Sequence, residues 1–148
     1  MKNSSRWVSI WRIRAGRSRS SNRAPLVRLL STLARENRGV AGGPVPLLLK
    51  VAPDLNPHQL ADIVGVVGEC GFAGIIATNT TITRPPGTEE CATKGGLSGA
   101  PLLERSLRVV RFLVKAGGGR IPVVGCGGRG GPRLGQQAQR KPGRHGER

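Results

Sequence analysis

Residues 44–128 alternate short apolar runs with segments of helical periodicity, and few folds accept that order. PVPLLLKVAP is an apolar run bounded by prolines, which predicts a strand over about 46–51. DLNPHQLADIVGVVGECG follows it. Asn56 suits an N-cap, Pro57 the first helical position, and Gln59 the partner in a capping box. Leu60, Ile63, Val64 and Val67 form one apolar face, and Gly71 can end the helix in the left-handed conformation. GIIAT predicts a second strand over 74–78, apolar enough to be covered on both faces. A long loop runs to about Gly99. A helix is expected from near Pro101, with Leu103, Leu107, Val110 and Val114 along one side. GGGR closes it, and IPVVGCGG supplies a third strand ending in glycines. Upstream, RAPLVRLLSTLAREN places Leu26, Leu29, Leu30 and Leu33 on one helical face. Helix, strand, helix, strand, helix, strand predicts an α/β chain with parallel strands and right-handed crossovers.

The chain has 148 residues, about one domain, and a formal net charge of +16. Such a charge ordinarily points to a polyanionic partner. Its distribution changes that meaning. Residues 1–40 carry a net +9, residues 41–128 only +2, and residues 129–148 carry +5. An ordinary globular middle lies between two basic flanks, and no specific nucleic-acid partner is expected. Cys70, Cys91 and Cys126 are far apart and form no CxxC pair, so neither a metal site nor a disulfide framework is expected. No apolar run approaches membrane-spanning length.

In parallel α/β sheets the chemistry sits at the carboxyl ends of the strands. Here those ends are Lys50, the cluster Thr78, Asn79, Thr80 and Thr81, and the run from Gly125 to Gly128. Lys50 is either a snorkelling lysine or a fixed positive charge facing an anion or an electron-rich ring. Asn79 offers a donor and an acceptor, and the threonine hydroxyls can act as either. That suits a planar heterocycle with alternating C=O and N–H groups; the alternative is a turn bonded to its own backbone. KGGLSGAPL and GCGG let backbone N–H groups approach a phosphate or a flat ring, or are plain flexible loops. Neither matches a P-loop or the GxGxxG dinucleotide pattern.

Four stretches taken together, LLLKVAPDL, GIIATNTTITRP, GGLSGAPL and IPVVGCGG, resemble in order and spacing the quinone-linked, mitochondrial-type class of dihydroorotate dehydrogenase. The resemblance covers about residues 46–128. It implies part of a (β/α)8 TIM barrel, about three consecutive βα units, binding FMN and oxidising dihydroorotate to orotate in pyrimidine biosynthesis, with a quinone as acceptor. By resemblance Lys50 faces the flavin and Thr78 touches it. Ser98, Gly99, Gly127 and Gly128 are expected as flavin and phosphate contacts, and Asn79 and Thr80 as pyrimidine ligands. The family location would be the mitochondrial inner membrane, reached in the family through a segment absent here.

The departures shape the expectation for this chain. The family's catalytic base is a serine on an NxSSPNT-type stretch. No such stretch occurs, and KNSSRW near the start does not replace it. No catalytic residue is therefore assigned, and a fragment or variant inactive alone is expected. Residues 1–22 are basic and Ser/Arg-rich: a transit peptide with a possible amphipathic helix around Trp7, Ile10 and Trp11, a disordered tail, or non-native coding sequence. Residues 23–128 would form the partial FMN-binding domain. Residues 129–148 lack an apolar pattern, resemble family coding sequence read in a shifted frame, and are expected to be disordered, as are the first 22. The alternative is a noncatalytic basic fragment that binds polyanions or does not fold stably.

Overall fold

The structure, a computed structural model, describes the backbone of residues 8–10 and residues 23–84, 86, 88 and 95–127. Four strands and three helices alternate: β1 (Val8–Ile10), α1 (Arg23–Arg38), β2 (Leu47–Val51), α2 (Pro57–Glu69), β3 (Gly74–Ala77), α3 (Leu103–Gly117) and β4 (Val123–Gly125). A 3-10 turn, Ala100–Leu102, leads into α3. The sheet order is β1-β2-β3-β4, and every pair is parallel.

α2 is built as its sequence dictates. The Asn56 side chain accepts the Gln59 N–H at 2.9 Å, and Gln59 Oε1 accepts the Asn56 N–H at 3.0 Å, completing the capping box. At its far end Gly71 adopts φ +69, and the Phe72 N–H reaches back to the Val67 carbonyl at 3.0 Å. Asn37, at the end of α1, imitates a strand partner. Its Nδ2 donates to the Val45 carbonyl at 2.8 Å and its Oδ1 accepts the Val45 N–H at 3.1 Å, fixing the entry to β2.

α2 touches both α1 and α3, so the helices form one layer. Leu26 and Leu30 of α1, Leu60, Ile63, Val66 and Val67 of α2, and Val109, Val110 and Leu113 of α3 form the core with the sheet. The sheet contributes Leu47, Leu49, Val51, Ile75 and Ala77. Side chains alternate across a strand, so Leu48 and Lys50 turn to the other face, where they are half-buried. Lys50 pairs in register with Ile76, and Ile76 with Val124. Val124 is 48% exposed on that face. One helix-covered face and one open face match an arc of a (β/α) barrel cut from its ring.

Two expectations change. Val8–Ile10 is neither helical nor irregular but pairs with Leu47–Leu49 as a parallel edge strand. Backbone N–H and C=O groups at the edge of β2 reward any strand that pairs there, and this outweighs local helical spacing. Trp7 and Trp11, like residues 129–148, lie outside the described residues. On α3 the buried stripe is Ser106, Val109, Val110, Leu113 and Gly117, while Val114 is 38% exposed. The predicted face is rotated, because a polar residue, Ser106, occupies a core position.

Candidate functional site

Strand pairing continues past the ends of β3 on both sides. The Thr78 N–H donates to the Cys126 carbonyl at 2.8 Å, and the Cys126 N–H to the Ala77 carbonyl at 2.6 Å. On the other side the Asn79 N–H donates to the Val51 carbonyl at 2.8 Å. The TNTT segment is thus clamped between the carboxyl ends of β2 and β4. Lys50 is the residue before Val51, and Gly127 the residue after Cys126. All three strand ends therefore meet at one edge of the sheet.

Gly127 has φ +99, a conformation that favours glycine. A Cβ there would lie 3.7 Å from the Thr78 carbonyl oxygen and 3.9 Å from Leu102 Cδ2. Leu102 is buried in the 3-10 turn, and its N–H bonds the Gly99 carbonyl at 3.0 Å. Exposed Ser98 and half-buried Gly99, at φ +81, lead into that turn, which Leu102 ties to Gly127. Gly128 lies outside the described residues.

The TNTT side chains divide between two tasks. Thr78 is buried, and its hydroxyl donates to Ser106 Oγ of α3 at 3.3 Å. Asn79 is half-buried, with Oδ1 accepting the Thr80 N–H at 2.9 Å. Thr80 is exposed and packs directly on Gly96, with no room for a Cβ between them. Thr81 is buried, and its backbone pairs with Leu97 through two hydrogen bonds of 3.0 and 2.8 Å. A lysine ammonium, a half-buried amide and glycine backbone converging on one edge form a donor set suited to a planar, anionic ring system.

Sequence reasoning missed Asp54 and Arg105. Asp54 accepts from Thr81 Oγ1 at 2.5 Å, Thr83 Oγ1 at 3.1 Å and the Ile82 N–H at 3.2 Å. Arg105 of α3 stands 3.3 Å from the same carboxylate and donates Nε–H to the Pro53 carbonyl at 2.9 Å. Asp54 sits inside KVAPDL, yet a lone aspartate before an N-cap carries no signal of a partner 27 residues away. Arg84 Nη2 donates to the Gly95 carbonyl at 2.8 Å, joining the segment to the loop before α3.

Comparison with known proteins shows the family. The family model described as dihydroorotate dehydrogenase matches residues 13–130. A dihydroorotate dehydrogenase (quinone) of Christiangramia forsetii is 46% identical over 108 residues, 72% of this chain and 32% of that protein. One from Cereibacter sphaeroides is 47% identical over 107 residues, 72% of this chain and 30% of that protein. A crystal structure of DHODH from Eimeria tenella in complex with ferulenol superposes with a TM-score of 0.66 at 29% identity, covering 74% of this chain and 34% of that one. The chain thus spans about a third of the length of these relatives.

Proposed function

This chain belongs to the dihydroorotate dehydrogenase family, and from that premise we propose that it carries the flavin- and pyrimidine-facing strand ends of such an enzyme. The observation that carries the reading is the clamp on Thr78 and Asn79, which gathers Lys50, Asn79 and Gly127 at one sheet edge. FMN is the cofactor that fits. Lys50 is a half-buried cation on the open face, and Gly127 at φ +99 brings backbone close to the Thr78 carbonyl.

In this reading Lys50, Ser98, Gly99, Gly127 and Gly128 hold the flavin and its phosphate. Thr78 contributes through its backbone, because its hydroxyl is turned to Ser106. Bound FMN supplies the two-electron acceptor for oxidation of dihydroorotate to orotate. Asn79 and Thr80 orient the pyrimidine, the amide pairing with its alternating C=O and N–H groups. Lys50 stabilises negative charge developing on the ring beside it.

A quinone as final acceptor belongs to the same proposal, on the strength of the quinone-type relatives, and a place at the mitochondrial inner membrane rests on the sequence resemblance alone. Among the described residues no helix is long and apolar enough to cross a membrane. No stretch of these 148 residues matches the family's base loop. General-base assistance contributes about 10²–10⁴-fold, so the chain alone is proposed to bind ligands with little turnover.

The test is a titration of the purified chain with FMN, followed by flavin absorbance and fluorescence, and then of the mixture with orotate. Saturable flavin binding, with a spectral shift on adding orotate, supports the reading. A chain that leaves the flavin spectrum unchanged at all concentrations overturns it. Dihydroorotate-dependent dye reduction at a rate near that of a complete relative would overturn the low-turnover proposal alone.

A further inference from the structure

Asp54 has no role in the reading above, yet it joins three elements: the loop after β2, the segment after β3, and α3. Its side chain is only 14% exposed. Three of its hydrogen-bond donors belong to the consecutive residues Thr81, Ile82 and Thr83, so one carboxylate fixes a whole turn of backbone. Arg105 pairs with the same carboxylate oxygen as the two threonine hydroxyls and is itself anchored on the Pro53 carbonyl. Next along the chain, Thr81 pairs with Leu97, and that pairing seats Thr80 on Gly96.

We propose that Asp54 is a positioning residue, which holds Asn79 and Thr80 in register for a pyrimidine by acting through Thr81. The inference rests on the reading of Asn79 and Thr80 as pyrimidine ligands. Arg105 pairs with the carboxylate and with the Pro53 carbonyl, not with the Thr81–Thr83 turn, so it is not the source of the register. The hydrogen bonds to a charged, largely buried acceptor are, because bonds of that kind are stronger than neutral ones. Asn79 is two residues from Thr81, and its Oδ1 is already bonded to the Thr80 N–H. Release of Thr81 therefore moves both ligands together.

The experiment compares the full chain with Asp54→Asn and Thr81→Val, using Thr81→Ser as the conservative control. Asp54→Asn keeps the shape but removes the charge and sets an NH2 group where one carboxylate oxygen accepted. Three quantities are measured: FMN affinity, orotate affinity in the presence of FMN, and amide hydrogen exchange at Thr81, Leu97, Ile75 and Ile76. Expected are about 10- to 100-fold weaker orotate binding in Asp54→Asn and Thr81→Val, the range for losing bonds to a charged acceptor. FMN affinity is unchanged, and Thr81→Ser binds orotate like the wild type. Exchange quickens at Thr81 and Leu97 and stays constant at Ile75 and Ile76. Wild-type orotate affinity in Asp54→Asn overturns the proposal, as does an even acceleration across all four amides, which marks a structural role alone. A wild-type chain that binds FMN but no orotate instead overturns the pyrimidine reading on which the proposal rests.

Discussion

A Cβ on Gly96 would stand 2.0 Å from Thr80 Oγ1 and 2.5 Å from Thr80 Cβ. The hydroxyl can rotate away, but the Cβ cannot without moving the backbone between Asn79 and Thr81. Gly96→Ala is therefore expected to displace Thr80 and to cost about 1–3 kcal/mol, the usual range for overpacking. Orotate affinity should fall with it. Combining Gly96→Ala with Thr80→Gly removes the clash and should recover stability but not orotate binding. Thermal melts and orotate titrations of both variants check this. Unchanged melting of Gly96→Ala would show that the two segments are not seated on each other.

Lys50 tests the open face of the sheet. It is half-buried, in register with Ile76 and on the side away from the helices, so its replacement disturbs little of the core. Lys50→Ala is expected to leave the chain folded, with a cooperative melt. Flavin affinity should fall by tenfold or more, equivalent to about 1.4 kcal/mol, and more for reduced than for oxidised flavin. The comparison of the two redox forms separates a charge effect from lost packing. Equal losses for both forms would assign Lys50 to packing alone.

Gly65 predicts a gain. It lies inside α2, and the nearest atom to an added Cβ is Glu69 Oε1 at 3.9 Å, ordinary contact. Glycine in a helix interior is less favourable than alanine by roughly 0.5–1 kcal/mol. Gly65→Ala should raise stability by about that amount in urea denaturation, without changing ligand binding. Gly74 is its opposite. A Cβ there would meet the Pro122 carbonyl oxygen at 2.6 Å, so Gly74→Ala should loosen β3 from β4. Destabilisation by Gly65→Ala would contradict the placement of α2.

The contrast between those two glycines marks what could be read from the sequence. Strand and helix positions from Leu47 to Gly125 follow local signals: proline-bounded apolar runs, the Asn56–Gln59 box, and the left-handed Gly71. Parallel alternation then put Lys50, Asn79 and Gly127 at one edge, since order along the chain becomes order across the sheet. Contacts made only in three dimensions left no such trace. Nothing near Asp54 in sequence announces Thr81 or Arg105, and nothing in GGLSG says which glycine lies against Thr80. Val8–Ile10 was misread because an edge strand is chosen by the strand beside it. The face of α3 is rotated for a related reason: the Ser106 hydroxyl takes a core position because Thr78 is set against it.

That last pair allows the cleanest measurement. Thr78 and Ser106 are both buried and bond each other at 3.3 Å across the gap between the end of β3 and α3. Thr78→Val keeps the shape of the side chain but leaves the Ser106 hydroxyl facing an apolar group. An unsatisfied buried hydroxyl costs about 1–3 kcal/mol. Ser106→Ala leaves the Thr78 hydroxyl in the same position and should cost a similar amount. Replacing both removes the polar pair altogether, and the double variant should be no less stable than either single one. The coupling energy in this cycle should be about 1 kcal/mol or more, as for residues in direct contact. Flavin affinity is expected to stay constant through the cycle, because the Thr78 hydroxyl is committed to α3 and the flavin side is served by backbone. Additive stabilities would show that the two hydroxyls do not meet. A loss of flavin affinity confined to Thr78→Val and the double variant would assign the hydroxyl to the cofactor instead of to the helix.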